Sequence, residues 1–581
     1  MKNQVLQLLV YGDNIGDLDV SIDYKGVKLD SMKTTENSNY LFLYLSIGKE
    51  CSPGKFKIIF LEQTKKVAAV KYELKQRITN SAQRTGFNCS DVIYLITPDR
   101  FANGDLRNDE IDGLDEKLNR SFEGGRHGGD LKGIINHLDY IDEMGFTSLW
   151  INPLLENAMD RYSYHGYSTT DFYKIDKRFG SNEEYLELSR LAADRGIKLI
   201  MDMIMNHCGS EHWFVKDPPS KDWINYEGEY VNTNHRRQTV QDLYASEYDK
   251  RNFADGWFVR SMPDMNQNIK LMADYLIQNS IWWIEYANLG GIRMDTYPYP
   301  DKEFMSRWSC EIMEEYPNFN IVGEEWSKNP VIVSYWQSGH LNHDGYVSCL
   351  PALMDFPIQG AMIEGLMGKE YFEGGLAIMY KTLALDFLYA DPGNLVIFPD
   401  NHDMDRFYTQ IGMDMNLYKM GLAYIFTMRG IPQIFYGTEI LMHNTGSEEN
   451  HGIIRTDFPG GWPGDTVNAF TGNGLSETQK NAQDYLKLLL NWRKDKDLVH
   501  SGKVMQFTPD NGTYVYFRYN DKEKIMVILN KNQNSTELDL SRFDEMLNIH
   551  SYGVDVASEI RYDFKQFIQV PGRTTLILEL H

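Results

Sequence analysis

The chain changes its hydrophobic rhythm twice. Over residues 1–85 apolar and polar positions alternate in short runs, as in LDVSIDYKGVKL, YLFLYLSI and SPGKFKIIF. Period-two alternation broken by turn residues predicts antiparallel strands that bury one face. This segment reads as a small β-sandwich. The apolar runs then become continuous: DVIYLITPD (91–99), FTSLWINPL (146–154), IKLIMDMIMNH (197–207), LGGIRMD (289–295), FNIVGEEW (319–326), NLVIFPDNHD (394–403) and IPQIFYG (431–437). Short runs of this kind predict strands buried on both faces. Between them lie helical stretches such as NEEYLELSRLAADRG (182–196), which sets Leu186, Leu188 and Leu191 near one stripe and stops at glycine. Repeated strand–helix alternation predicts a parallel sheet covered by helices, open or closed. Residues 208–255 break the rhythm with Gly, Pro, Trp, Asn and many charges, and read as an excursion from one β/α unit. Near 500 the alternation returns, in GTYVYFRYN, KIMVILNKN and TTLILELH. The expected organisation is therefore 1–85, a β/α body over 86–495 carrying an insert at 208–255, and a C-terminal antiparallel β-sandwich over 496–581.

Composition narrows the chemistry. A chain of 581 residues exceeds one ordinary core, so several domains are expected. The formal net charge is -24 and no long Lys/Arg run occurs, which argues against nucleic acid or an anionic membrane surface as a partner. Aromatic residues are 13% of the chain, which suits a sugar surface and also plain core packing. The five cysteines, Cys51, Cys89, Cys208, Cys310 and Cys349, are scattered and odd in number, so neither a disulfide framework nor a thiolate metal cluster is expected. No apolar run reaches the length of a membrane span. The opening MKNQVLQLLVYGDN lacks a full signal-peptide pattern. The expectation is a soluble protein, periplasmic if a leader has been trimmed and cytoplasmic otherwise.

Polar residues gather where the apolar runs end. The third run ends in Asp202, Asn206 and His207, and the fourth in Arg293 and Asp295. Glu324 and Glu325 end the next, and Asp400, Asn401, His402 and Asp403 end NLVIFPDNHD. In a β/α scaffold chemistry collects at those strand ends. Arg293 and Asp295 are two apart, so they share one face of their strand. A lone pair there could be a structural ion pair, but four polar strand ends in a row are poorly explained by packing. Metal-dependent hydrolysis would call for a cluster such as HxH or HExxH, and neither is present. Glycoside hydrolysis needs one ionised carboxylate and one protonated carboxylic acid. Asp295 beside Arg293 suits the ionised role. Glu324 after the apolar NIVG suits the acid, although charge alone does not separate it from Glu325.

In combination these segments resemble the alpha-amylase family of glycoside hydrolases, and within it the neopullulanase and cyclomaltodextrinase branch. DMIMNH (202–207), GIRMD (291–295), GEEW (323–326) and FPDNHD (398–403) are similar to that family's four conserved regions. RGIPQIFYGTE (429–439) is similar to its last barrel strand, and YHGY (164–167) to its sugar-binding segment. The resemblance covers nearly the whole chain and implies a closed (β/α)8 TIM barrel with an inserted B domain. It also implies retaining hydrolysis of α-1,4-glucosidic bonds in cyclodextrins, maltooligosaccharides and pullulan. It casts Asp295 as nucleophile, Glu324 rather than Glu325 as general acid/base, and Asp403 as the third member of the trio. His165, Tyr167, Asp202, His207, Arg293, Tyr299, His402 and Arg406 would contact or support the sugar. Alternatives are an α-glucan transglycosylase or isomerising enzyme of the same family, and outside enzymes an inactive glucan-binding protein.

Two further expectations come with the resemblance. Many members follow the second region with a Lys–His pair, where this chain has Pro298 and Tyr299. The leaving side must then be lined differently, with Tyr299 offering a ring face. NGDLRND (103–109) and GGD (128–130) read by themselves as Asx-rich turns. By resemblance they imply a structural Ca2+ held by Asn103, Asp105, Asn108, Asp109, Gly128 and Asp130, since calcium takes oxygen ligands. The branch also implies an N-terminal domain that narrows the cleft, in several members through a homodimer.

Overall fold

The computed structural model describes residues 5–446 and 450–581. At its centre stand eight short strands: β1 (Ile93–Ile96), β2 (Ser148–Ile151), β3 (Lys198–Met203), β4 (Gly291–Met294), β5 (Ile321–Gly323), β6 (Ala352–Leu353), β7 (Val396–Ile397) and β8 (Ile431–Phe435). All pair in parallel in the order β6-β5-β4-β3-β2-β1-β8-β7. A parallel bridge between Met354 and Val396 joins the two ends, so the sheet closes into the expected barrel. Every residue of β1, β2, β4 and β5 is buried, as their unbroken apolar runs require. Gly291 opens β4 because the ring of Phe87 lies 2.3 Å from where a Cβ would stand. Several covering helices start on side-chain caps. Ser181 accepts from Glu184 N at the head of Asn182–Ala193, and Asp301 accepts from Phe304 N at the head of Lys302–Glu315.

The N-terminal segment forms two three-stranded antiparallel sheets, Val5–Tyr11/Tyr40–Ile47/Val27–Thr34 and Asp19–Ile22/Gly54–Glu62/Lys65–Leu74. The strand Tyr40–Ile47 works on both faces. Leu41, Leu43 and Leu45 meet Phe56, Ile58 and Phe60 inside the sandwich, while Tyr40 and Phe42 pack into the main core. The sandwich therefore docks on the barrel assembly through its own alternation. Asp217, in the excursion after β3, anchors it further. Its carboxylate accepts from Asn37 Nδ2 at 2.6 Å, Asn39 Nδ2 at 2.8 Å and the Tyr11 hydroxyl at 2.9 Å.

That excursion consists of short helices (Trp213–Lys216, Glu247–Asp255), 3-10 turns and isolated bridges such as Ile224–Met265 and Asn232–Trp257. The C-terminal segment is a six-stranded antiparallel sheet with a second, two-stranded ribbon, enclosing its own core around Phe517, Ile528, Phe543 and Leu578. One expectation about the cysteines fails. Cys310, on the helix Lys302–Glu315, is disulfide-bonded to Cys349, just ahead of β6, while Cys51, Cys89 and Cys208 are free. The sequence separation of 39 between the partners carries no spacing signal, because the fold and not the local chain brings them together. No described helix is long and apolar enough to cross a membrane.

Candidate active site

The C-terminal ends of the strands form the floor of a cleft of about 780 Å³, within the size range of small-molecule sites. Arg293 organises that floor. It is fully buried, and its Nη1 lies 2.9 Å from Asp202 Oδ1 and 2.6 Å from Asp295 Oδ1. Nη2 lies 2.8 Å from Glu324 Oε2. One guanidinium thus grips three carboxylates from β3, β4 and β5. Burial alone would push it to lose its proton, but the surrounding anions hold it well above its usual range. Asp202 is further fixed by Trp150 Nε1 at 2.9 Å and the Tyr167 hydroxyl at 3.0 Å. Glu324 Oε2 accepts from Thr296 N at 3.0 Å, and Asp295 Oδ2 from Thr296 Oγ1 at 3.2 Å. Thr296 has φ 43°, an unusual left-handed backbone for a β-branched residue, at the turn between the two carboxylates.

Across the cleft stands Asp403. His402 Nε2 lies 3.0 Å from its Oδ2, and Arg455 Nη2 and His451 Nδ1 address Oδ1, the latter at 3.2 Å. Tyr167 Oη meets His402 Nε2 at 2.6 Å, which links this side to Asp202. His165 and His207 flank Tyr167. His165 Nδ1 accepts from Tyr167 N at 2.8 Å, and His207 Nε2 lies 3.1 Å from Tyr167 O.

The environments push the acids apart. Burial raises Asp295 to about 6, with Arg293 opposing the rise and Asp202 adding to it. Burial raises Glu324 to about 7, with Asp295 and Asp403 adding to it. Asp403 is partly buried, which opposes its ionisation, yet His402 and Arg455 hold it well below the usual carboxylate range. Burial depresses His402 to about 4, His207 to about 4 and His165 to about 3, so all three are neutral donors or acceptors at neutral pH. Glu325 is also raised to about 7 by burial, so proton affinity does not distinguish it from Glu324. Position does: Glu324 lines the cleft, whereas Glu325 is fully buried against Trp336 Nε1 at 3.0 Å and Arg237 Nε at 3.0 Å.

Two of the residues named from sequence sit differently from expectation. Arg406 does not line the cleft. It is 1% exposed, lies 3.9 Å over the Phe435 ring, and donates to Ile454 O at 2.7 Å and to Tyr436 O. Two of its three guanidinium nitrogens, Nε and Nη1, are taken by backbone carbonyls, so it braces the end of β8. Tyr299 does border the cleft, but its ring is packed between Phe253 and Phe258, at 4.5 and 4.6 Å, and is 4% exposed. It offers no open stacking face. Arg455, His451, Arg237, Phe258 and Trp326 line the cleft without having been singled out. Trp326 closes the run FNIVGEEW, while the other four come from connections whose sequence has no periodic pattern. None of the described residues 5–85 lines the cleft, so within one chain the described part of the N-terminal sandwich does not narrow it.

The candidate calcium loop divides in two. Asp105 is engaged by the Arg107 side chain at 2.7 Å, and Asp130 caps the helix Leu131–Asn136 while accepting from Gly104 N and Asp105 N. Asn103 Oδ1 and Asn108 Oδ1, in contrast, are buried with no protein partner. Beside them Asp109 accepts from Asn103 Nδ2 at 2.7 Å, and Gly128 has φ +88°, with Asp109 Oδ1 2.5 Å from where its Cβ would be. Among the described residues no group of three or more His, Cys, Asp or Glu side chains could hold a metal. Any ion here would rest on amide and carbonyl oxygens with Asp109, a donor set that calcium accepts.

A closed parallel barrel with two carboxylates, Asp295 and Glu324, held by one guanidinium at its C-terminal rim fits the glycoside hydrolase class. Comparison with known proteins places the chain within that class. Residues 95–500 match the alpha amylase catalytic domain, residues 1–78 the cyclomaltodextrinase N-terminal domain, and residues 504–579 the cyclo-malto-dextrinase C-terminal domain. This protein belongs to the alpha-amylase family. It is similar to a cyclomaltodextrinase of Thermoanaerobacter pseudethanolicus, with 30% identity over 60% of this chain and 57% of that one. It is also similar to a beta/alpha-amylase of Paenibacillus polymyxa, with 28% identity over 78% of this chain. The match spans only 35% of that longer relative. Among solved structures, an acarbose-bound alpha-amylase from Geobacillus thermoleovorans superposes with a TM-score of 0.69 at 26% identity, covering 86% of this chain and 99% of that one.

Proposed function

We propose that this protein hydrolyses α-1,4-glucosidic bonds of short or cyclic α-glucans with retention of configuration. The observation that carries the reading is the shared grip of Arg293 on Asp295 and Glu324, with Asp403 facing them across the cleft. Two carboxylates held by one guanidinium are compatible with the ~5–5.5 Å separation of retaining enzymes. In this mechanism Asp295 attacks the anomeric carbon while Glu324 delivers its proton to the departing glycosidic oxygen. The C–O bond to the leaving sugar breaks as the bond to Asp295 forms. Glu324, now ionised, takes a proton from water, and the resulting attack on the anomeric carbon releases Asp295. Asp403, kept anionic, binds sugar hydroxyls, with Arg455 and the neutral histidines around it. The names cyclomaltodextrinase and amylase among its relatives favour α-glucans as the substrate class. The test is the variant Asp295→Asn, together with trapping by a 2-fluoro glycosyl fluoride. We expect a folded protein with turnover reduced by about 10⁴-fold or more, and a wild-type adduct on Asp295. An adduct on another residue would refute the assignment.

Two attendant readings belong here. Asn103, Asn108, Asp109 and the Gly128 carbonyl would hold a calcium ion, whose role would be to tie the loop 103–109 to the segment 125–130. The two orphaned amide oxygens support this. The Cys310–Cys349 bridge supports an oxidising compartment such as the periplasm, since disulfides persist there. A homodimer in which the N-terminal sandwich reaches a partner's cleft fits the family's N-terminal domain.

A further inference from the structure

Two arginines that line the cleft are not used by the mechanism above, Arg161 and Arg237; Arg161 is largely exposed beside Asp160, and Arg237 is the one tied down from behind. Arg237 opens a 3-10 turn, Arg237–Val240, in the excursion after β3. Its side chain is 25% exposed and lines the cleft beside Glu324, Phe258 and Tyr299. Behind it, Nε lies 3.0 Å from Glu325 Oε1, and Nη1 donates to the Tyr299 hydroxyl at 3.4 Å. Glu325 is fully buried, and its other oxygen accepts from Trp336 Nε1 at 3.0 Å. An uncompensated buried carboxylate is costly, so Glu325 gains from drawing this arginine down onto the end of β5. Glu325 also directly follows Glu324. The residue that gives the leaving oxygen its proton and the residue that holds Arg237 are thereby neighbours on one strand end. Since Glu324 meets the glycosidic oxygen, the space on the Arg237 side of it belongs to the departing chain. Tyr299, packed between two phenylalanines, has no ring face to offer that chain.

We propose that Arg237 is the donor that binds the hydroxyls of the departing glucan, and of any acceptor sugar that replaces it, with Glu325 as its positioning residue. The inference rests on the reading of Glu324 as the general acid. The excursion after β3 thus contributes to specificity through a charge pinned from behind. An arginine suits the task because its planar fork can face Glu325 with one edge and a sugar diol with the other. The same contact bears on hydrolysis against transfer: a site that holds a leaving sugar also retains a sugar acceptor in competition with water.

The experiment compares maltoheptaose, which leaves as a sugar, with α-maltosyl fluoride, whose leaving group is a single ion. For Arg237→Ala we expect the loss in kcat/KM on maltoheptaose to exceed that on the fluoride by about 10- to 100-fold, as for one charge-assisted hydrogen bond. The ratio of transfer to hydrolysis at high maltooligosaccharide concentration should fall with it. Glu325→Gln should change both readouts in the same direction, and should add little to Arg237→Ala in the double variant. That double variant leaves no unpaired buried charge, so it reports even if Arg237→Ala alone unfolds. Equal losses on the two substrates, or an unaltered transfer ratio in a folded variant, would overturn the proposal. A wild-type protein inactive on both substrates would instead overturn the hydrolase reading itself.

Discussion

Asp202 on β3 and Arg293 on β4 are register partners in adjacent parallel strands, and their side chains meet at 2.9 Å on the same face of the barrel. The pairing answers why a buried strand tolerates an arginine. With Asp295 and Glu324 also on the guanidinium, the cation is compensated three times over. The dependence runs the other way as well. Arg293→Met would leave three buried carboxylates facing one another, and breaking such an arrangement typically costs about 3–5 kcal/mol. We expect a lowered thermal midpoint together with lost activity. A variant as stable as the wild type, measured by calorimetry near neutral pH, would contradict this account.

Glu324 and Glu325 have similar proton affinities but different positions. Glu324→Gln should impair natural substrates severely while sparing the first step on glycosyl fluorides, which need little protonation to leave. Equal losses on both substrate types in direct measurements of that step would point away from general-acid catalysis by Glu324. Glu325→Gln should keep fluoride hydrolysis far closer to wild type than Glu324→Gln does.

The pH profile follows from the same two carboxyls. Asp295 must be ionised, so activity falls as pH drops through about 6. Glu324 must be protonated, so activity falls as pH rises through about 7. The pair interacts, and the limbs of a kcat/KM profile belong to it jointly. We expect a narrow bell between those values. Glu324→Gln should abolish the alkaline limb on an activated substrate; persistence of that limb would assign it to another group.

How far the chain could be read in advance divides along physical lines. The strand ends were legible because a buried strand has few reasons to end in Arg293–Asp295 or Asp400–Asp403, and because period-two spacing fixes a shared face. The parallel β/α body was legible because seven of its strands lie in short apolar runs between helical stretches, whereas its closure came only with the family resemblance and the two-residue β6 carried no run of its own. Arg455 and His451 carried no such signal: they sit in a long connection after β8, and only the folded chain brings them to Asp403. Arg406 misled because an arginine near a catalytic segment reads the same whether it faces sugar or backbone carbonyls. The pairing of Cys310 with Cys349 was hidden for a related reason, since their meeting depends on a helix packing beside the loop before β6. Tyr299 was expected to present its ring, but Phe253, from the irregular stretch 208–255, and Phe258, just beyond it, pack against it.

The calcium reading predicts a stability effect ahead of a catalytic one. A ligand that binds only the folded chain adds stability by mass action. Removing calcium with a chelator should lower the melting temperature, and calcium should restore it. Asn103→Ala or Asn108→Ala should lose that response while retaining the active-site geometry. A melting temperature indifferent to both chelator and calcium would remove the ion from the account, leaving the two amide oxygens to be satisfied by water.

The last prediction concerns substrate size. The cleft is walled on one side by residues 122–124 and 450–452, and Asn450 Nδ2 donates to Glu123 Oε1 at 3.1 Å between them. On the other side stand Arg237, Phe258 and Val259 from the excursion after β3. A site of about 780 Å³ walled in this way suits a short or curved glucan better than a long chain that must lie across it. We therefore expect kcat/KM per scissile bond to rank β-cyclodextrin and maltoheptaose above soluble starch, with pullulan measured alongside. The N-terminal sandwich would contribute to this ranking through a partner subunit, because none of its described residues lines the cleft of its own chain. Deleting the sandwich is a poor test, since Tyr40 and Phe42 belong to the main core. Dilution is a better one. If a dimer shapes the preference, the starch-to-cyclodextrin ratio should rise as the protein is diluted through the dissociation range seen by ultracentrifugation. A constant ratio across that range would assign the preference to the walls of the single chain, and starch outpacing both small substrates at every concentration would defeat the size argument altogether.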